Sequence, residues 1–255
     1  MEARLSAPLS ERMLELARLE PGMRVLDLAT GRGEPAIRAA HRVGPSGVVM
    51  GIDISASMLA MAAERAHREG IDNLTLRAAD AAFPGNLPGA PFDAALCRWG
   101  LMYMEKPGQA LLEARKRLAQ RARLVLAIWA EPERVPYFTL PRQLLGKWCQ
   151  VPPVAVERPG TFRYASQDAL DAELVAQGFE VECTEELEVK VMEAENPSGL
   201  IAWVRAFGLD KLVRDLPADV QEQWAADLTS EVLRMNHGSG YHLGGVTRLV
   251  VARPA

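Results

Sequence analysis

Apolar residues open the chain at helical spacing: Leu9, Met13, Leu16 and Leu19 share one face over residues 8–19, and Pro21-Gly22 closes the segment. The period then changes. MRVLDLA, residues 23–29, is a nearly unbroken apolar run, the pattern of a buried strand. Residues 35–43 suit a helix with Pro35 in its first turn, GVVMGID (47–53) a second strand, and residues 55–69 a helix capped by Ser55. LTLRAAD (74–80) and FDAALCR (92–98) predict strands three and four. Residues 107–119 predict a helix and ARLVLAIWA (122–130) a fifth strand.

Strands alternating with helices imply βαβ units and a parallel, doubly wound α/β sheet. The alternation holds to about residue 130 and then breaks. Residues 131–164 are proline-rich with little periodicity. A helix resumes over 166–178, ending at Gly178, and FEVECTEELEVKVM follows as a long strand. Residues 197–208, with Trp203 and Phe207, and 218–235, with Val220, Trp224, Leu228 and Val232, form two amphipathic helical patterns. GGVTRLVVAR closes the chain as a terminal strand. The expectation is one domain over 1–255, with a ligand-binding core over 20–130. The interruptions, 131–164 and 192–240, are expected to be lids over that core, and Trp203 and Trp224 to be packed inside them.

Composition narrows the partners. The 255 residues are 49% apolar and 24% charged, with a net charge of −4. No strongly basic face is implied, which argues against a nucleic-acid partner. No run approaches the roughly 18 apolar residues of a membrane span, and MEARLSAPLSERM lacks a signal-peptide core, so a cytoplasmic protein without a membrane partner is expected. Cys97, Cys149 and Cys183 are widely spaced, and no metal-ligand spacing is visible; Cys97 and Cys183 read as buried thiols. His41 and His67 fall on expected surface helices. A monomer or homodimer is expected.

The candidate chemistry begins in VLDLATGRGEPAI, residues 25–37. A strand, a glycine turn and a helix start present free backbone N–H groups to a ligand. Gly31-x-Gly33-x-x-Ala36 fits the loose dinucleotide pattern, and Asp53, at the end of the second strand, suits a ribose diol. Asp27 alters that reading. A carboxylate four residues before Gly31 repels a pyrophosphate and favours a cationic ligand. Asp80, at the end of strand three, suits an adenine amino group.

VLDLATGRGEPAI, GIDIS, LRAADAAFP and FDAALCRWGLMYM together resemble the successive motifs of class I S-adenosylmethionine-dependent methyltransferases, in the flavour of the ubiquinone/menaquinone-biosynthesis enzymes and their small-molecule relatives. The resemblance implies a Rossmann-like, mostly parallel seven-stranded sheet ending in an antiparallel hairpin, here split by a helical insertion. It implies S-adenosylmethionine as cofactor and S-adenosylhomocysteine as product. Asp27, Ala29, Thr30, Gly31 and Gly33 would meet the methionine portion, and Asp53 the ribose. Ile54 and Met58 would pack on the adenine, Asp80 and the Ala81 N–H would read its edge, and Arg98 and Trp99 would lie near the reacting methyl. Two departures stand out: Ala29 replaces the family's first glycine, and Glu34 occupies its third position.

Methyl transfer from a sulfonium needs nucleophile, carbon and sulfur held in line, with water excluded and no metal. A general base helps where the nucleophile is a hydroxyl or an acidic carbon. His237, Tyr241 and His242, in the glycine-rich MNHGSGYHLGG, are the candidate catalytic residues, as a mobile loop bordering a substrate pocket. Trp99, Met102, Tyr103, Trp129, Tyr137 and Phe138 are candidates to line a pocket for an aromatic or apolar small-molecule substrate. Two rivals stand beside this reading. One is a protein that binds the cofactor as a scaffold or catalyses a cyclisation. The other is an NAD-dependent oxidoreductase, against which Asp27 and the lack of a Tyr-x-x-x-Lys motif argue.

Overall fold

A computed structural model describes residues 5–152 and 159–255, with the side chain of residue 207 excepted. Residues 153–158 of the expected 131–164 insertion lie outside the described residues. By its internal contacts the chain divides into two compact units. One holds residues 7–129, 247–255 and the described part of 155–187; the other holds 130–152, 188–246 and residues 5–6.

The larger unit is built on β1 (Arg24–Leu28), β2 (Val48–Asp53), β3 (Leu74–Ala78), β4 (Phe92–Arg98) and β5 (Leu118–Trp129). Helices α1 (Ala7–Leu16), α2 (Ala36–Val43), α3 (Ala56–Arg68) and α4 (Pro107–Arg115) alternate with them. β6 (Phe179–Ala194) and β7 (Tyr241–Pro254) complete a seven-stranded sheet of order β3-β2-β1-β4-β5-β7-β6. β1 to β5 pair in parallel, and β7 runs antiparallel to β5 from Leu124↔Ala252 to Trp129↔Thr247. The winding direction reverses between β1 and β4. Such a switch leaves a crevice at the carboxyl ends of the strands, where ligands bind in open α/β sheets.

The apolar runs become strands because both faces are covered. Val25, Leu26, Val49, Ile52, Leu96, Leu124 and Leu126 are all 0% exposed. Two boundaries and the burial of one cysteine differ from the sequence reading. α4 stops at Arg115, since Arg117 folds back to pair with Glu113 at 2.6 Å and its carbonyl accepts the Phe92 N–H, which recruits Leu118 into β5. β7 begins at Tyr241, so Tyr241 and His242 lie in a strand. Cys183 is exposed rather than buried, because β6 is the outer strand and carries few covered positions there. Cys97 is buried, and burial pushes its thiol up to about 12. His41 and His67 are exposed, as their helices predict.

The smaller unit gives order to sequence without clear periodicity. Pro136–Leu145 is a helix (α5) despite Pro141 inside it. α6 (Gln167–Ala176) follows in the larger unit, before β6. The 197–208 pattern divides into α7 (Pro197–Val204), a π-type turn at Arg205–Leu209 and α8 (Asp210–Arg214), while α9 (Ala218–Met235) matches its expected bounds. Trp224 is 0% exposed and donates its indole N–H to the Pro141 carbonyl at 3.2 Å, a carbonyl of the α5 interior.

Candidate active site

The glycine turn leaves β1 in left-handed backbone: Ala29, Gly31 and Gly33 have φ of 54°, 54° and 87°. Gly33 must lack a side chain, since a Cβ there would lie 2.8 Å from Ile37 Cδ1. Ala29, where the resembling family carries glycine, holds its positive φ at a cost of about 1 kcal/mol. Its methyl occupies space left by Gly100 after β4: a Cβ on Gly100 would lie 2.5 Å from Ala29 Cβ. The two loops are thus fitted to each other at the reversal point of the sheet. The Thr30 N–H donates to the Ile52 carbonyl at 2.9 Å and ties the turn to β2.

Asp53 closes the same turn from β2. Its Oδ2 accepts the Gly31 N–H and its Oδ1 the Ser55 N–H, both at 2.8 Å. Each carboxylate oxygen retains a second lone pair, sufficient for a diol. Next to it, Ile54 is 80% exposed and Met58 41% exposed, with Met58 Sδ beside Gly31. Exposed side chains of this size, beside Asp53, make an apolar face. The Asp53 carbonyl accepts the Ala79 N–H at 2.9 Å, which brings the end of β3 alongside. Asp80 follows, its Oδ1 accepting the Ala82 N–H at 2.8 Å.

Asp27 is 0% exposed between β2 and β4. Its Oδ2 accepts the Ala36 N–H at the start of α2 at 3.2 Å. The Thr30 hydroxyl is close enough to favour the charged form, yet neither Asp27 Oδ1 nor Thr30 Oγ1 closes a well-formed hydrogen bond. Burial dominates and pushes the carboxyl up to about 7; Thr30, Arg98 and the Ala36 N–H pull it down, and Glu34 adds to the rise. Glu34 is itself held by Arg65 at 2.8 Å and Arg38 at 3.2 Å, which anchors the turn to α2 and α3.

β4 ends on a wall of aromatic rings. Trp99, with φ of 52°, stacks on Trp129 with centroids 4.4 Å apart and planes 11° apart. Its indole N–H donates to Thr247 Oγ1 at 3.1 Å, and the Arg98 guanidinium lies 5.1 Å from its ring. A bulky residue in left-handed backbone carries strain that its surroundings must hold. Here the stack, the Thr247 bond and the Trp99 N–H to the Ala127 carbonyl do so. Met102 is 0% and Trp129 2% exposed, so both are buried, whereas Trp99 and Tyr103 keep surface; the Tyr103 hydroxyl meets Thr161 Oγ1 at 3.0 Å.

In the smaller unit, Tyr137 is 7% exposed and packs edge-on against Phe138 and Trp203. The 236–242 segment is a hydrogen-bonded turn rather than a slack loop. His237 takes φ of 50° at the end of α9, the Gly238 N–H returns to the Leu233 carbonyl, and Asn236 Nδ2 donates to the carbonyls of Gly240 and His242. Burial, with Lys190 nearby, holds the His242 imidazole below its usual range.

The structure therefore gathers Ala29, Thr30, Gly31, Gly33, Asp53 and Met58 around one turn, sets Asp27 and Arg98 beneath it, and brings Asp80 and Ala81 in from the neighbouring strand end. Sequence reasoning missed Gly100, Thr247 and Ser10. Ser10 is 0% exposed and accepts from Arg98 at 3.5 Å. None carries a signal of its own, because each acts through a contact distant in sequence. The donor set suits S-adenosylmethionine: carboxylates for a cationic end and a diol, an exposed apolar face for a purine. Among the described residues no metal-type cluster occurs.

Comparison with known proteins agrees. A family model described as a methyltransferase domain matches residues 19–158. Nocamycin O-methyltransferase of Saccharothrix syringae is 30% identical over 239 residues, 88% of this chain and 84% of that protein. A ubiquinone/menaquinone biosynthesis C-methyltransferase of Rhizobium leguminosarum bv. trifolii is 37% identical over 117 residues, 45% of this chain and 44% of its own length. In fold, the chain is similar to a Geobacter sulfurreducens S-adenosylmethionine-dependent methyltransferase solved with S-adenosylhomocysteine, with a TM-score of 0.54, 19% identity, and coverage of 100% of this chain and 94% of that one.

Proposed function

Since the chain belongs to the S-adenosylmethionine-dependent methyltransferases, we propose that it methylates an oxygen of a small aromatic or apolar metabolite. Bound cofactor supplies an electrophilic methyl on a positively charged sulfur. Everything else falls to the chain. The exposed Ile54 and Met58 give the adenine its apolar face, Asp80 and the Ala81 N–H its polar edge, and the free lone pairs of Asp53 take the ribose hydroxyls. The Ala29–Gly33 turn, Asp27 and Arg98 hold the methionine end, and Trp99 and Tyr103 offer surface to an acceptor. The observation that carries the reading is the Asp53-closed turn at the reversal point of the sheet, with exposed Ile54 and Met58 beside it. Preference for oxygen is supported by similarity to an O-methyltransferase over 88% of the chain, against 45% for the C-methyltransferase.

Among the catalytic candidates, His237 already serves the left-handed end of α9. Burial, with Lys190 nearby, favours the neutral form of the His242 imidazole. Whichever of His237, Tyr241 and His242 acts as base, its replacement by Ala or Phe lowers kcat by roughly 10²–10⁴-fold, while replacement of the other two leaves it near wild type. The deciding experiment incubates the protein and S-adenosylmethionine with a panel of planar hydroxylated acceptors. Mass spectrometry follows the thioether product and the methylated acceptor. Formation of both in equal amounts supports the reading; an acceptor that rearranges while the cofactor stays intact would replace it with the cyclase reading.

A further inference from the structure

Asp27, Asp53 and Asp80 differ in their access to water. Asp80 is exposed, Asp53 sits at the rim, and Asp27 is sealed between Gly51 of β2 and Leu96 of β4. A buried carboxylate is tolerated only when neighbouring groups offset its lost hydration. The groups facing Asp27 nearly balance. From α2 comes the Ala36 N–H at 3.2 Å, and from the turn the Thr30 hydroxyl. β4 brings Arg98, which favours the anion, and the uncharged Cys97 thiol. Arg98 is also engaged by Ser10 of α1 and the Trp99 ring. Glu34 opposes the anion, and at the end of β2 Asp53 is satisfied by two backbone N–H groups. One added positive charge above the turn is enough to decide the state of such a group.

S-adenosylmethionine and S-adenosylhomocysteine differ by one methyl and one formal charge, on sulfur. We propose that Asp27 distinguishes them by that charge: uptake of the sulfonium cofactor releases the Asp27 proton to solvent, whereas uptake of the uncharged thioether product leaves it in place. This rests on the methyl-transfer reading above. The consequence is a pH-dependent preference for reactant over product. Burial sets the ligand-free carboxyl at about 7. Below that pH the cofactor must displace a proton and binds less tightly; above it the proton is already gone. A fall of between half a unit and one unit in the bound state makes the affinity ratio of cofactor to product rise about two- to fivefold between pH 6 and pH 8.

Isothermal titration of the whole protein at pH 6.5, in phosphate and in imidazole, counts the protons released by each ligand. More protons released with S-adenosylmethionine than with S-adenosylhomocysteine is the expected result, with the difference fading by pH 8.5. In Asp27→Asn, whose amide oxygen still accepts the Ala36 N–H, the difference disappears. The wild-type pH series decides the matter by itself if that variant does not fold. Equal release by both ligands, or a difference that persists in Asp27→Asn, overturns the proposal and leaves the methyltransferase reading intact. Failure of both ligands to bind overturns that reading and the proposal with it.

Discussion

Asp53 and Gly31, 22 residues apart, are joined by a 2.8 Å hydrogen bond from the Gly31 N–H to Oδ2. The acid proposed to bind the ribose is therefore also the clasp of the turn proposed to hold the methionine end. Since Oδ1 takes the Ser55 N–H, both oxygens are needed before any ligand arrives. Asparagine offers one acceptor and turns an NH₂ towards the second N–H. Asp53→Asn is thus no mild change: about 1–3 kcal/mol is lost, and S-adenosylmethionine affinity falls roughly ten- to a hundredfold by calorimetry. An Asn variant that binds like wild type would remove Asp53 from both roles.

The Ala29–Gly100 contact predicts a rescue. A methyl at position 100 meets Ala29 Cβ at 2.5 Å and Cys97 Sγ at 3.0 Å. Gly100→Ala costs about 1–3 kcal/mol from overpacking, a drop of several degrees in melting temperature for a chain of this size. Ala29→Gly removes half of the clash and relaxes a left-handed alanine. The double variant should recover most of the loss in a thermal melt; no recovery would place the clash elsewhere, at Cys97.

Thr247 holds the Trp99 indole N–H from the far end of the chain. Thr247→Val leaves a donor without its acceptor and costs about 1–3 kcal/mol, whereas Trp99→Phe removes the donor and keeps a ring against Trp129. The double variant Trp99→Phe, Thr247→Val should be more stable than the sum of the singles predicts, by about 0.5–1 kcal/mol in a denaturant cycle. Strict additivity would show that the bond contributes nothing.

Asp27 sets a pH dependence of stability in the ligand-free protein. Its folded carboxyl lies above the unfolded value, so the folded state binds the proton more tightly. Stability contributed by that proton is full below about 4, the unfolded value, and is lost as pH rises to about 7. Asp27→Asn has no proton to lose. Its melting temperature should therefore gain on wild type from pH 5 to pH 8; a constant gap across that range would show that the carboxyl is ionised throughout.

The order of strands and helices to residue 130, the glycine turn and the acids at 27, 53 and 80 were all readable in the sequence, because a strand buried on both faces must be apolar throughout and an acid inside one stands out. The helix over 218–235 was readable for the related reason that a single face repeats every 3.6 residues. What the sequence did not disclose depends on contacts between distant positions. Ala29 tolerates its backbone where glycine is usual only with Gly100 opposite, and Trp99 keeps its strained φ only with Trp129 and Thr247 behind it. α5 forms across Pro141 in a stretch without periodicity, where Trp224 of α9 caps the Pro141 carbonyl. The glycines of 238–244 suggested mobility, and Asn236 instead pins the turn by two hydrogen bonds. Local pattern records which surfaces must be buried; which residues meet once they are buried was decided by the sheet order and by the close packing of its loops.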